Sequence, residues 1–320
     1  MRNACSLAKT KTCLPYMKNF RLQSALLTLP AYNFGSKAKT LRGSTDEFKR
    51  FEETAKIVAM EGIEASKKTD YEKCHEFLST ALDMFLTVFG EEHAFVYQIY
   101  NHMGKNYADR WRYKEALDYL NKSYELCDQH YPDNVEDKIK ILINMATSFE
   151  GLNNCAEAEA TYNRALELIG ENHVEYRSHL IVIFNNLGCM FLRNGEYAQA
   201  HTYLNKALTN LGQLVTEDKA FKAKVLSNLG HVFREQGKLP DAYGCFKEAL
   251  DLEMEIGGVR PELAVCYNNM GMICNEQRNF DEALNYLKKA RELDTQLYAE
   301  DHASVGVTLN NMALVYMGME

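Results

Sequence analysis

Apolar and polar positions follow a helical period along this chain, and the helical pattern itself recurs. In Phe184-Asn185-Asn186-Leu187-Gly188-Cys189-Met190-Phe191, the residues Phe184, Leu187, Gly188 and Phe191 fall at i, i+3, i+4 and i+7. That spacing is one face of an α-helix. With Gly188 as an anchor, an aromatic stands three residues later (Phe191) and a small residue twelve later (Ala200). A large apolar residue stands sixteen later (Leu204) and a second small one nineteen later (Ala207). The frame repeats at Gly62, Gly104, Ala146, Gly188, Gly230, Gly271 and Ala313, separated by 42, 42, 42, 42, 41 and 42 residues. Its +12 column reads Cys74, Ala116, Ala158, Ala200, Ala242 and Ala283. Its +19 column reads Ala81, Ser123, Ala165, Ala207, Ala249 and Ala290. Breaks such as Arg193-Asn194-Gly195-Glu196-Tyr197 separate the two halves of a unit. Each frame therefore predicts a helical hairpin. Small residues let the two backbones approach, and the aromatic fills the space beside them. Pro240 sits near the first turn of its second helix, where a missing N–H costs little.

These anchors and columns resemble the tetratricopeptide repeat, from about residue 48 to the end. The usual unit is about 34 residues. The longer period, with Phe89-Gly90-Glu91-Glu92-His93, Ala299-Glu300-Asp301-His302 and Leu309-Asn310-Asn311-Met312-Ala313, is similar to the kinesin light chain subtype. The added residues are expected in the second helix and its outgoing loop. The resemblance implies an all-α fold: a right-handed superhelical α-solenoid of about six and a half hairpins. Residues 1–45 are read as a separate tail and 46–320 as the array, with units at about 55–96, 97–138, 139–180, 181–222, 223–263 and 264–305 and a half unit at 306–320. No long heptad region stands ahead of the repeats. The first unit is worn, with Glu61 before the anchor and Ala65 for the aromatic, as suits a terminal repeat with one face in solvent.

In the half unit, Leu309, Met312, Ala313 and Tyr316 form a stripe whose second helix is missing. Burying a Leu or Met fully is worth roughly 1.5–3 kcal/mol. One side of this stripe is expected to be exposed, paired with another chain, or covered by a continuation past residue 320. Residues 306–320 are thus a candidate surface for oligomerisation.

Composition narrows the function classes. The 320 residues are 46% hydrophobic and 25% charged, the balance of a globular protein rather than a disordered one. No stretch approaches the roughly 18–20 apolar residues of a membrane span. Residues 1–45 hold eight basic residues and no acid; the rest holds 28 basic against 44 acidic. So acidic a body repels phosphate backbones and argues against nucleic acid. The basic tail has the composition of a mitochondrial presequence, which sets a mitochondrial location beside the cytoplasmic one otherwise expected. Nine cysteines with no C-x-x-C pair point to small, reduced core residues rather than a disulfide framework or zinc site.

No catalytic motif is present: no phosphate-binding glycine loop, no nucleophile elbow, and His75-Glu76 ends at Ser79 where a zinc helix needs its second His. No enzyme activity and no cofactor are expected. A column two residues before the anchor reads Asn144, Asn186, Asn228, Asn269 and Asn311. In the family it resembles, this face of the first helix lines the concave groove, and Asn there holds the backbone of an extended peptide. One amide offers both donor and acceptor to a peptide group. The same amide is equally able to bridge adjacent helices. Lys105, Lys140, Arg193, Lys224 and Arg234 fall on the same expected face, and with them a partner protein or peptide of acidic character.

Overall fold

The computed structural model describes residues 45–171, 174–216, 218–299 and 302–319, and all that follows concerns these. The basic tail, and the presequence reading with it, lies outside the described residues apart from Thr45. The fold is an all-α helical repeat solenoid. The chain divides into two compact units, one ending at Ile169 and one beginning at Gly170.

In the first unit, three hairpins follow one another: α1 (Thr45–Lys67) with α2 (Tyr71–Val88), α3 (Ala94–Asp109) with α4 (Tyr113–His130), and α5 (Val135–Gly151) with α6 (Cys155–Ile169). The second unit holds α7 (Arg177–Arg193) with α8 (Tyr197–Leu211), α9 (Lys219–Glu235) with α10 (Leu239–Ile256), α11 (Pro261–Glu276) with α12 (Phe280–Leu297), and then the single helix α13 (Ala303–Met319). No strand occurs among the described residues. Some helix starts carry side-chain caps: Asn134 accepts from the Asp137 N–H at 3.1 Å, and Asp218 from the Phe221 N–H at 3.0 Å. Pro240 and Pro261 stand in the first turns of α10 and α11.

The repeat columns are the core. All twelve residues of the +12 and +19 columns, Cys74 through Ala290, are fully buried. The +16 residues Leu78, Leu120, Tyr162, Leu204, Phe246 and Leu287 are buried with them, and in the five units with a glycine anchor this residue lies against it. At Gly188 a Cβ would stand 2.6 Å from Leu204 Cγ, so the hairpin closes only because the anchor has no side chain. Where the +19 position is Ser123, its hydroxyl donates to the Tyr97 carbonyl at 2.7 Å, which satisfies the buried oxygen.

The hairpin turns share one backbone. The N–H eight residues after the anchor donates to the carbonyl at +3, as in Arg112 to Tyr107 at 3.0 Å and Glu196 to Phe191 at 2.9 Å. This forces the +7 residue into the left-handed region. The extra length of the repeat goes to two places. Helices α2, α4, α10 and α12 have 18 residues, whereas α6 and α8 have 15 and are followed by longer connections. Helix α1 begins at Thr45, well ahead of the expected unit start at 55, because Phe48 and Phe51 pack on Phe89 at 6.5 and 6.4 Å and hold its added turns.

Candidate functional site

Within each unit the first helices of successive hairpins lie side by side, which aligns the asparagine column. Asn144 belongs to α5 in the first unit; Asn186, Asn228, Asn269 and Asn311 belong to α7, α9, α11 and α13 in the second. All five are half-buried.

Three of the five bridge repeats. The Nδ2 of Asn144 donates to Asn101 Oδ1 at 2.9 Å, Asn228 to Asn185 at 2.9 Å, and Asn311 to Asn268 at 3.2 Å. Each acceptor sits three residues before the previous anchor. Where that position is Ile143 or Ser227, no such bridge forms. Asn186 then accepts a 3.2 Å hydrogen bond from its neighbour Asn185, and Asn269 keeps a buried Nδ2 with no hydrogen-bond partner. The column therefore has two kinds of amide. One kind is spent partly on its neighbour; the other, Asn186 and Asn269, makes no bridge to the preceding repeat.

Further polar links tie neighbouring repeats in each unit. Tyr97 donates to Asp137 at 2.7 Å and accepts from Asn134 at 3.0 Å. Burial works against the Asp137 carboxylate, but hydrogen bonds from Tyr97 and Gln98 outweigh it and hold its pKa below the usual value. Asp294, fully buried, accepts from Ser304 and Thr308 at 2.7 Å each and seats α13 on α12.

The cations of the expected site divide between the units. Lys105 and Lys140 lie in the first; Arg193, Lys224 and Arg234 lie in the second. Lys140 pairs with Glu136 at 2.7 Å and Asp137 at 3.4 Å. Arg234 pairs with Glu235 at 3.0 Å and Glu276 at 3.6 Å. Lys105 and Lys224 are exposed, and Lys224 lies 5.6 Å from the centre of the Phe221 ring. Local acids thus offset part of the positive charge on this face. A cleft of about 480 Å³ opens between the ends of α7 and α9, lined by Arg193, Asn194, Tyr197, His231 and Glu235. Burial, with Arg234 beside it, pushes the His231 imidazole down to about 4, so this ring is a neutral hydrogen-bonding group near pH 7.

The acceptors Asn101, Asn185 and Asn268 were missing from the expected site. Their signal was present: the column three before the anchor reads Asn101, Ile143, Asn185, Ser227 and Asn268. Among the described residues no cluster of His, Cys, Asp or Glu is arranged to hold a metal ion, and no helix is long and apolar enough to cross a membrane. Cys74, Cys127, Cys266 and Cys274 are buried thiols, and burial pushes Cys266 up to about 11.

The tetratricopeptide repeat model matches residues 137–213, 221–296 and 267–319. No curated protein matches the chain in sequence. Among solved structures, BtubC (BKLC) from P. vanneervenii is similar at 16% identity and a TM-score of 0.58, over 80% of this chain and 93% of that one. The quorum sensor NprR from B. thuringiensis, in its apo form, is similar at 17% identity and a TM-score of 0.64, over 81% and 70%. NprR has also been solved in complex with its cognate peptide NprX, and that structure is similar at 16% identity and a TM-score of 0.56, over 87% and 74%. A putative kinesin light chain of nearly identical repeats from Podospora anserina is similar at 12% identity and a TM-score of 0.54, over 64% and 97%. At these identities the likeness is one of fold.

Proposed function

We propose that this chain, which belongs to the tetratricopeptide repeat family, is a non-catalytic interaction scaffold whose first helices hold an extended peptide segment of a partner protein. The observation that carries this reading is the division within the asparagine column. Bridging by Asn228 and Asn311 fixes the spacing of the first helices in the second unit. That leaves the Asn186 Nδ2 and the Asn269 Oδ1 outside any bridge to the preceding repeat, to meet a peptide backbone. NprR, of the same fold, binds its cognate peptide NprX, which supports a peptide as the class of ligand. Asn144, Lys105 and Lys140 form the corresponding face of the first unit. Lys105 and Lys224, exposed and carrying no ion pair among the described residues, would favour an acidic segment.

The test is a peptide selected from a random library on the full chain. Asn186→Ala with Asn269→Ala should weaken it about thirtyfold or more while helicity stays unchanged. Equal affinity in the folded double variant would remove these amides from the site.

A second reading rests on α13. Leu309 is 43% exposed, Tyr316 50% and Met317 70%, whereas Val305, Thr308 and Val315 on the other side are buried. The stripe that a second helix covers in every complete repeat is open here. In this reading residues 306–320 pair with a second copy of the chain.

A further inference from the structure

The six hairpin turns place one residue each, seven after the anchor, at positive φ. They are Thr69, Trp111, Asn153, Gly195, Gly237 and Arg278, with φ between 58° and 79°. Glycine and asparagine take this conformation at least cost, and a bulky side chain takes it at most. Trp111, like the β-branched Thr69, is a residue this backbone disfavours. Nor does packing explain it, since the indole is 81% exposed. It is also the chain's one tryptophan. A strained backbone and an unburied aromatic, both retained at one position, point to a role outside the fold.

The surroundings give the chemistry. Arg110 and Arg112 flank Trp111 in the sequence. The Arg112 guanidinium is held in place, 4.9 Å over the Tyr107 ring and 2.7 Å from Glu115. Arg110 and Lys114 carry no ion pair among the described residues. On the preceding turn, Lys67 and Lys68 are about 70% exposed, with only loose contacts to Glu64 at 3.4 and 3.6 Å. Residues 65–75 and 106–115, the two turns and their flanks, hold six cations against four anions on an otherwise acidic body. Burial, with Arg110 and Arg112 beside it, lowers the pKa of His75, in keeping with a positive local field.

We infer that the turn edge of the first unit, centred on Trp111 between Arg110 and Arg112, is a second protein-docking surface, which takes an acidic segment carrying an apolar side chain. Trp and Arg are the residues most enriched where few contacts carry most of the binding energy. The apolar side chain covers the indole, and a carboxylate meets Arg110 in paired hydrogen bonds. The local excess of cations complements an acidic protein segment, and the exposed indole gives that segment's apolar side chain a surface to pack on. This surface is separate from the asparagine face, and neither depends on the other.

Because Trp111 is the chain's one tryptophan, its fluorescence reports on this edge alone. The probe is a synthetic peptide of Glu-Asp-Leu units, titrated into the full chain. It should shift the emission to the blue and saturate. Arg110→Glu should weaken that binding about thirtyfold. Trp111→Gly, made in the Asn186→Ala with Asn269→Ala background so that the asparagine face is silent and followed by calorimetry, should lose the peptide yet melt no lower than that background, since glycine relieves the turn. Asn186→Ala with Asn269→Ala should bind the probe unchanged, which keeps the two faces distinguishable. An unshifted emission overturns the inference. So does an equal response to Lys-Lys-Leu peptide, or a response confined to phosphatidylserine vesicles. A Trp111→Gly protein that melts clearly lower, or still binds the peptide, also overturns it.

Discussion

The Nδ2 of Asn228 lies 2.9 Å from the Oδ1 of Asn185, a residue one repeat earlier and almost wholly buried. Removing Asn228 leaves that buried oxygen without its donor. Asn228→Ala should therefore cost about 1–3 kcal/mol. A double-mutant cycle on Asn185 and Asn228 in urea should return a coupling of about 1 kcal/mol. Independent effects would mean that the bridge does not hold the repeats.

Two glycines in helices should respond in opposite directions. A Cβ at Gly104 would meet Leu120 Cγ at 2.5 Å, so Gly104→Ala should destabilise by about 1–3 kcal/mol. Gly244, inside α10, has nothing within 4 Å of its would-be Cβ. Gly244→Ala should stabilise by about 0.5–1 kcal/mol through helix propensity. Denaturant midpoints of the two variants decide this, and shifts of the same sign would contradict the close-approach account.

His231 makes stability depend on pH. In the folded chain its pKa is about 4, against 6.5 for the free group. Above pH 6.5 both states are neutral at this site and nothing is lost. As pH falls from 6.5 towards 4, the unfolded chain binds a proton that the folded chain refuses, so stability falls. The loss is complete below about pH 4 and amounts to about 3 kcal/mol. Replacing the ring by His231→Gln should flatten that part of the stability curve. Parallel curves for parent and variant would show that His231 is not the source.

The open side of α13 gives the second reading its test. If it pairs with another copy, the mass seen by light scattering should rise with concentration, and Leu309→Lys with Tyr316→Lys should return a monomer of unchanged helicity. A parent that is monomeric at all concentrations rules this pairing out.

Much of the fold was legible because spacing alone reports it. The small residues Ala200 and Ala207 and the large Leu204 are buried where their register places them, and Gly188 meets Leu204 as its missing side chain requires. A register cannot say what a polar side chain touches one repeat away. Asn144 and Asn186 occupy the same position in their units, yet Asn144 bridges and Asn186 does not. The difference lies in the residue 43 positions earlier, Asn101 in one case and Ile143 in the other. Charge was similarly hard to read. Lys140 and Arg234 have acids within 4 Å, Glu136 on the same helix for one and Glu276 on the next first helix for the other, which a column of cations does not display. The left-handed turn was readable from Gly195 and Gly237 but hidden by Trp111 in the same place.

The central claim is that this scaffold recognises the backbone of an extended peptide through Asn186 and Asn269. Its most direct test is an ester scan of a library-selected peptide, each backbone N–H being replaced in turn by oxygen and the affinity measured by calorimetry. Esters at one or two positions should weaken binding to the parent about tenfold, and the same esters should cost nothing further in Asn186→Ala with Asn269→Ala. Affinity indifferent to every ester, or an equal loss in parent and double variant, would contradict it.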